Sequence, residues 1–261
     1  MKYALITGAS SGIGLEFAKI MAQNGHNLIL VARREDALQA LKNQLESEHK
    51  VTVKIVAMDL SASGQALALY RHCVSQQLIV DCLVNNAGYG DYGTFDVNKL
   101  ETYHNMLQLN VTFLTELTAY FVNDMKARKS GRILNVGSMV AFQPCPNMAV
   151  YGGSKAYVMQ FTEALNYELR GSGVSVTLLS PGVTETGFVA RSNMNSANAK
   201  SGLMSAIDVA KTGYKAMMAN KLSVIPGWKN NILALGSKTM PSREILLRIA
   251  ARIFKDTAAI H

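Results

Sequence analysis

The run Lys2-Tyr3-Ala4-Leu5-Ile6-Thr7 and the turn Gly8-Ala9-Ser10-Ser11-Gly12-Ile13-Gly14 behind it decide how the rest of the chain is read. Six mostly apolar residues ending on a hydroxyl read as a short buried strand. Beyond the glycines, Phe17, Ile20 and Met21 recur at helical spacing, with Glu16 and Lys19 outside them. Strand, glycine-rich turn and helix together cradle a pyrophosphate. The glycines let the backbone come close, and the helix N-terminus offers free N–H groups and the positive end of its dipole. The spacing is G-x-x-x-G-x-G, not G-x-G-x-x-G.

Working outward, Gly25 stops the helix and residues 27–32 form a second strand. An acid at its end would bond ribose hydroxyls and repel a 2′-phosphate. Here Ala32 is followed by Arg33-Arg34, two guanidiniums that suit a phosphate bidentately, so NADP(H) is the expected cofactor. Residues 35–48 are a polar amphipathic helix. Residues 51–58 alternate as a third strand and end in Asp59-Leu60-Ser61, with a helix following to about residue 76. Residues 80–84 are a fourth strand, ending in Asn85-Asn86-Ala87-Gly88. Strands alternating with helices imply an α/β fold: a Rossmann-type doubly wound parallel sheet with helices on both faces. Right-handed crossovers put the strand C-terminal ends, and every motif so far, on one ligand-binding edge.

Residues 100–129 then read as one long helical region with Asn110 near its middle. Residues 133–136 are a fifth strand leading to Ser138, and an irregular stretch with Phe142, Pro144, Cys145 and Pro146 follows. Residues 151–169 are a helix carrying Gly152 and Gly153, each costing roughly 1 kcal/mol against alanine. Close approach of another backbone or a cofactor is the expected return. Residues 174–179 are a sixth strand, ending in Ser180-Pro181-Gly182. In the helix, Tyr151 and Lys155 stand at i and i+4 on one face. An ammonium beside a phenol eases phenolate formation, which makes a proton donor able to work near neutral pH. Ser138, thirteen residues upstream, offers a hydroxyl to hold a substrate oxygen.

Composition narrows the classes. The chain has 261 residues, 49% apolar and 17% charged, enough for one large domain. No apolar run approaches the ~18 residues of a membrane span, and the first apolar run is too short for a secretory signal. Cys73, Cys82 and Cys145 have no metal or redox spacing and read as buried thiols of a cytoplasmic protein. His26, His49, His72, His104 and His261 are scattered singly, so no metal site is expected. The net charge of +8 is concentrated at the end: from residue 211 onward nine Lys or Arg stand against Glu244 and Asp256. The body has no basic patch with interleaved aromatics, which argues against nucleic acid.

Taken in order, these motifs resemble the short-chain dehydrogenases/reductases over about residues 2–190. Thr7-Gly8-Ala9-Ser10-Ser11-Gly12-Ile13-Gly14 is similar to that family's cofactor turn, and Asp59 to its adenine-contacting acid. Asn85-Asn86-Ala87-Gly88 resembles the motif that steadies the central sheet. Asn110, Ser138, Tyr151 and Lys155 resemble the catalytic tetrad, and Pro181-Gly182-Val183 with Thr186 the segment that holds the nicotinamide carboxamide. The basic residues after the second strand resemble those of NADP-preferring members, although Ser11 stands where some of these carry a second basic residue. The resemblance implies that Ser138 bonds the substrate carbonyl and Tyr151 protonates it. It also implies that Lys155 lowers the tyrosine pKa and bonds the nicotinamide ribose, while Asn110 holds a water of a proton relay. It further implies a homodimer or homotetramer built on helices at about 100–128 and 151–170.

One domain is expected, with residues 1–182 as cofactor and catalytic core, 183–206 as a substrate lid and 207–261 as a C-terminal substrate or assembly segment. The lid carries Phe188, Met194, Leu203 and Met204 among Asn, Ser and Ala, which favours an apolar ketone or a 3-ketoacyl compound. In residues 242–255, Ile245, Leu246, Ile249, Ala250 and Ile253 form one stripe of a helix beginning near Pro241, with Arg248, Arg252 and Lys255 on another face. This helix is expected to dock on the substrate side or on another subunit, with membrane contact at most peripheral. The competing class is a non-catalytic dinucleotide-binding sensor or scaffold, against which the intact Ser138, Tyr151 and Lys155 argue.

Overall fold

The computed structural model describes residues 1–188, 192 and 203–253, with the side chain of Ile253 left out. Its centre is a seven-stranded sheet in the order β3-β2-β1-β4-β5-β6-β9. The strands are β1 (Lys2–Thr7), β2 (Asn27–Ala32), β3 (Val53–Ala57), β4 (Ile79–Asn85), β5 (Gly131–Val136), β6 (Val174–Leu179) and β9 (Ser223–Val224). Every adjacent pair is parallel. The order reverses direction between β1 and β4, and there the strand ends open into a crevice.

Both faces are covered because the strands are apolar on both sides. Ala4, Ile6, Leu28 and Leu30 pack against α1 (Gly12–Gln23), α2 (Glu35–Glu48) and α7 (Ala206–Met218) through Phe17, Met21, Leu38, Leu41 and Val209. Leu5, Ile29, Val31 and Leu83 point the other way, towards α3 (Gln65–Ser75), α5 (Leu114–Ala127) and the end of α6 (Ala149–Glu168). The period of two in side-chain direction thus splits each strand between two cores.

The sequence reading of β1, β2, α2 and β6 agrees with the structure to the residue, and the other strands move by one or two residues at an end. The larger difference lies in the long helical region. Residues 100–129 are not one α-helix: α4 (Leu100–Leu107) passes through a π-helical turn, Gln108–Phe113, into α5. Asn110 stands inside that turn, an arrangement common at functional sites. Of the two glycines in α6, Gly152 faces Cys145, whose Cβ would lie 3.3 Å from an added methyl, whereas Gly153 has nothing within 4 Å. Close approach therefore accounts for the first glycine alone. Cys73, Cys82 and Cys145 are buried and free.

At the C-terminus, α8 (Trp228–Thr239) sets Ala234 against Ala141, Phe142 and Leu178, beside the short helical segment Met139–Phe142 that follows Ser138. Ser237 donates to Gln143 at 3.1 Å, and Lys238 lies over the Phe142 ring. The helix α9 (Arg243–Ile253) starts two residues after Pro241. Its expected apolar stripe divides: Leu246 and Ala250 are buried, but Ile245 and Ile249 face outward. A helix seated on its narrow edge through one leucine and one alanine cannot also bury neighbours set about 100° away. Lys255 and the lid residue Met194 lie outside the described residues.

A chain of buried amides holds β4, β5, α5 and α6 together. Asn85 donates to Thr118 and to Asn135, both at 2.9 Å, and Asn135 donates to Thr162 at 3.0 Å. Asn135 is wholly buried, so losing it strips partners from groups that water does not reach. Asn135→Ala should lower unfolding free energy by about 1–3 kcal/mol, read from the urea midpoint. A midpoint unchanged within error would show that this chain of amides carries no weight.

Candidate active site

The crevice is closed at its base by a reciprocal clamp. The Thr7 hydroxyl accepts from the backbone N–H of Asn86 and of Ala87, both at 3.0 Å, and the Asn86 side chain donates to the Thr7 carbonyl at 2.9 Å. Above it the glycine turn leaves no room for side chains. Gly8 has φ +69°, and a Cβ there would lie 2.8 Å from the Asn86 amide nitrogen; a Cβ on Gly14 would lie 2.4 Å from the Gly8 carbonyl oxygen. Helix α1 begins at Gly12 with no acid in its first turn and no capping bond from the Ser11 side chain. Its N–H groups and dipole are therefore available to an anion, and this fits a dinucleotide pyrophosphate. The turn also brings in the segment after β6: the Thr186 methyl carbon would meet a Cβ on Gly12 at 3.0 Å.

Arg33 and Arg34 are both exposed at the end of β2, but they do different things. Arg34 reaches back over the turn and donates to the Ser10 carbonyl at 2.8 Å. Arg33 lies near Asp59, whose carboxylate accepts from the Ser61 backbone N–H and hydroxyl. These bonds, with help from the Arg33 charge, hold the Asp59 pKa below the ordinary carboxylate range. The Pro181 carbonyl accepts from Met139, and the Val183 carbonyl accepts from Met204. A two-stranded ribbon, β7 (Thr184–Glu185) paired with β8 (Met204–Ser205), spans the base of the expected lid.

Tyr151 and Lys155 stand on the buried face of α6, and Ser138 lies at the end of β5, near enough to Tyr151 to favour its ionised form, with its hydroxyl accepting from the Val140 N–H at 3.3 Å. The Lys155 ammonium donates to the Val136 carbonyl at 2.8 Å and sits 5.8 Å from the centre of the Tyr151 ring. Burial without a carboxylate partner pushes the Lys155 pKa down to about 8. Burial also pushes the Tyr151 pKa up to about 12, and the neighbouring Ser138 hydroxyl only partly offsets it. The direction of the Tyr151 shift in this structure is thus set by burial of the phenolate, and it runs against the lowering expected from Lys155. Gly88 adjoins both neighbours of the pair: a Cβ there would lie 2.9 Å from the Asn110 amide oxygen and 3.5 Å from the Lys155 nitrogen.

Asn110 donates to the Tyr89 carbonyl at 2.9 Å and to the Ser154 hydroxyl at 3.1 Å, and its oxygen accepts from the Tyr89 N–H at 3.2 Å. Both amide hydrogens are engaged by protein, so they are not the groups that hold a relay water. Ser154 passes the link on to the Tyr151 carbonyl at 2.7 Å. The sequence reading missed Ser154, whose only signal is its place directly before Lys155 on the buried face. It also missed the apolar wall of Tyr92, Met106, Cys145 and Met148 around Tyr151. Phe188 completes that wall, its ring centre 5.4 Å from that of Tyr151.

The profile of the short chain dehydrogenase family matches residues 2–197, and the chain belongs to that family. Among relatives, it is 35% identical over 184 residues to the very-long-chain 3-oxoacyl-CoA reductase of Kluyveromyces lactis, with 68% of this chain and 53% of that protein covered. The chain spans about half the length of the curated relatives it matches first. Among solved structures, a short-chain dehydrogenase from Sphingobium yanoikuyae in complex with NADPH has a TM-score of 0.80 at 29% identity, covering 100% of this chain and 98% of that one. A short-chain dehydrogenase/reductase from Burkholderia phymatum in complex with NAD has a TM-score of 0.79 at 25% identity, covering 95% of each chain.

The buried lysine makes stability depend on pH. With a folded pKa of about 8 against about 10.4 unfolded, the unfolded chain holds this proton more tightly. The Lys155 contribution therefore rises with pH across that window and is lost as pH falls through 8. Lys155→Met removes the effect. Its stability advantage over the parent should be largest at pH 7 and shrink as pH rises towards 10, in parallel urea titrations. A constant gap would contradict burial of the ammonium.

Proposed function

We propose that the chain is an NADP(H)-dependent reductase of an apolar ketone or a 3-ketoacyl-type substrate, acting through Ser138, Tyr151 and Lys155. The observation that carries the reading is the gathering of Ser138, Tyr151 and a buried, carboxylate-free Lys155, 5.8 Å from the Tyr151 ring, at the C-terminal edge of the sheet. When bound, NADPH supplies the hydride to the carbonyl carbon. Ser138 donates a hydrogen bond to the carbonyl oxygen and orients it. Tyr151 gives its hydroxyl proton to the same oxygen as negative charge builds there. A pKa of about 12 keeps Tyr151 protonated across the physiological range, ready to act as the acid. The Lys155 ammonium then stabilises the phenolate left behind.

Gly8, Ser10, Ser11, Gly12, Ile13 and Gly14 hold the pyrophosphate in this reading, with Asp59 and Asn86-Ala87-Gly88 along the adenosine and ribose side. Pro181, Gly182, Val183 and Thr186 lie along the nicotinamide. Arg33 is the residue for a 2′-phosphate, and Arg34 shares that role while bracing the turn through Ser10. Residues 183–206 act as the lid, and residues 207–261 complete the substrate side. The apolar wall around Tyr151, and the likeness to a protein named as a 3-oxoacyl-CoA reductase, support an apolar acyl or ketone substrate. A homo-oligomer built on α4, α5 and α6 is supported by the exposed Leu100, Leu107, Tyr157 and Tyr167 on those helices.

Tyr151→Phe should leave NADPH binding intact and lower kcat on the best carbonyl substrate by roughly 10²- to 10⁴-fold, since the acid alone is lost. Retention of most turnover would refute the mechanism. Arg33→Ala should raise the Kd for NADPH roughly ten- to hundredfold with little effect on NADH. Arg34→Ala should weaken both, because it also releases the Ser10 carbonyl. Equal losses for both cofactors in Arg33→Ala would refute the NADP assignment.

A further inference from the structure

The two C-terminal helices each carry an apolar face turned away from the protein. On α8, Trp228, Ile232 and Leu235 are spaced i, i+4, i+7 and are 70%, 60% and 62% exposed. The opposite side of the same helix is the one seated on the protein, through Ala234 and Ser237. On α9, Ile245, Ile249 and Arg252 share a face set about 100° around the helix from the buried Leu246 and Ala250. The same two helices carry five exposed cations, Lys229, Lys238, Arg243, Arg248 and Arg252. The one carboxylate on the two helices, Glu244, is paired with Arg248.

Charge decides between the occupants such a surface could take. A second copy seated on the same patch would bring five cations and one carboxylate against an identical set, a net +4 facing +4. Protein interface cores are also depleted of charge, whereas here both helices carry cations beside their apolar side chains. An anionic bilayer accepts both: apolar side chains enter the acyl boundary while Lys and Arg stems extend to the headgroups. An indole at the end of the apolar face suits the same depth.

We propose that α8 and α9 form a docking surface for a bilayer containing anionic phospholipid. Among the described residues no helix is long and apolar enough to cross a membrane, so the contact is one of lying on the surface. The inner side of α8 rests on Met139–Phe142, directly after Ser138, so docking would bring the substrate side of the molecule to the lipid. Only this last consequence rests on the carbonyl-reductase reading; the docking itself does not.

Trp228 is the single tryptophan of the chain, so its emission reports on this surface alone. The full chain would be mixed with phosphatidylcholine vesicles, with and without phosphatidylserine, at low and high salt. The expected result is a blue shift of Trp228 emission and co-sedimentation with the phosphatidylserine vesicles, weakened roughly tenfold or more at high salt. Arg243→Glu combined with Arg252→Glu should weaken binding by roughly tenfold or more while the circular dichroism spectrum and the urea midpoint stay as in the parent. If that variant fails to fold, the salt series and the phosphatidylcholine arm on the parent chain still decide. No shift and no sedimentation at low salt would overturn the proposal, as would equal binding to phosphatidylcholine alone. Vesicle-independent blue-shifted emission that grows with protein concentration would also overturn it, in favour of a second copy on the patch.

Discussion

The structure turns on the absence of free space where β1 and β4 end side by side. Thr7 takes two backbone N–H groups from the start of the β4 loop, and Asn86 returns its amide to the β1 end. That exchange holds the two strand ends together where the sheet changes direction and a crevice must open. Gly8 and Gly14 are then required by contact: any side chain at either would push into Asn86 or into the turn's own carbonyl. The close backbone that fits a pyrophosphate is thus the same close packing that joins the two halves of the sheet.

A second constraint follows from depth. The clamp leads into the 86–89 loop, Asn110 ties that loop to α6 through Tyr89 and Ser154, and Lys155 ends beneath Gly88. Burial costs an ammonium its hydration, and here it has a backbone carbonyl in place of a carboxylate. The charge is held loosely as a result, with a pKa near 8 instead of the ordinary lysine value. A carboxylate partner would have tightened it and cancelled its field at Tyr151. The site therefore retains a cation whose field is left for a neighbouring anion to use.

Features with a local signature were legible before the structure: the glycine turn, the strand–helix alternation, and Tyr151 with Lys155 one helical turn apart. What escaped depended on contacts between distant segments. Asn135 sits in an apolar run and reads as an interruption of it, yet its amide bridges Asn85 and Thr162. The π-helical turn around Asn110 leaves no mark in a periodicity counted at 3.6 residues. The division of the α9 stripe depended on which edge the helix presents, and a hydrophobic pattern gives the width of a face but not its seat. Arg33 and Arg34 look equivalent as neighbours; only the path of the chain gives Arg34 the Ser10 carbonyl.

The direction of the Tyr151 shift links chemistry to the segments least regular in sequence. Desolvation raises that pKa, and the desolvating groups come from the loop with Cys145 and Met148 and from Phe188 beyond β7. Gly90 lets them close: a Cβ there would meet the rings of Tyr151 and Phe188, each at 3.0 Å. An acid walled in this way is weak while the wall is intact and strengthens as polar groups or a cation replace it. Displacing Phe188 from the tyrosine ring would thus change the proton affinity of the acid as well as the access to it. In the proposed mechanism, with Tyr151 as the acid, substrate entry and acid strength are then coupled through that one aromatic contact.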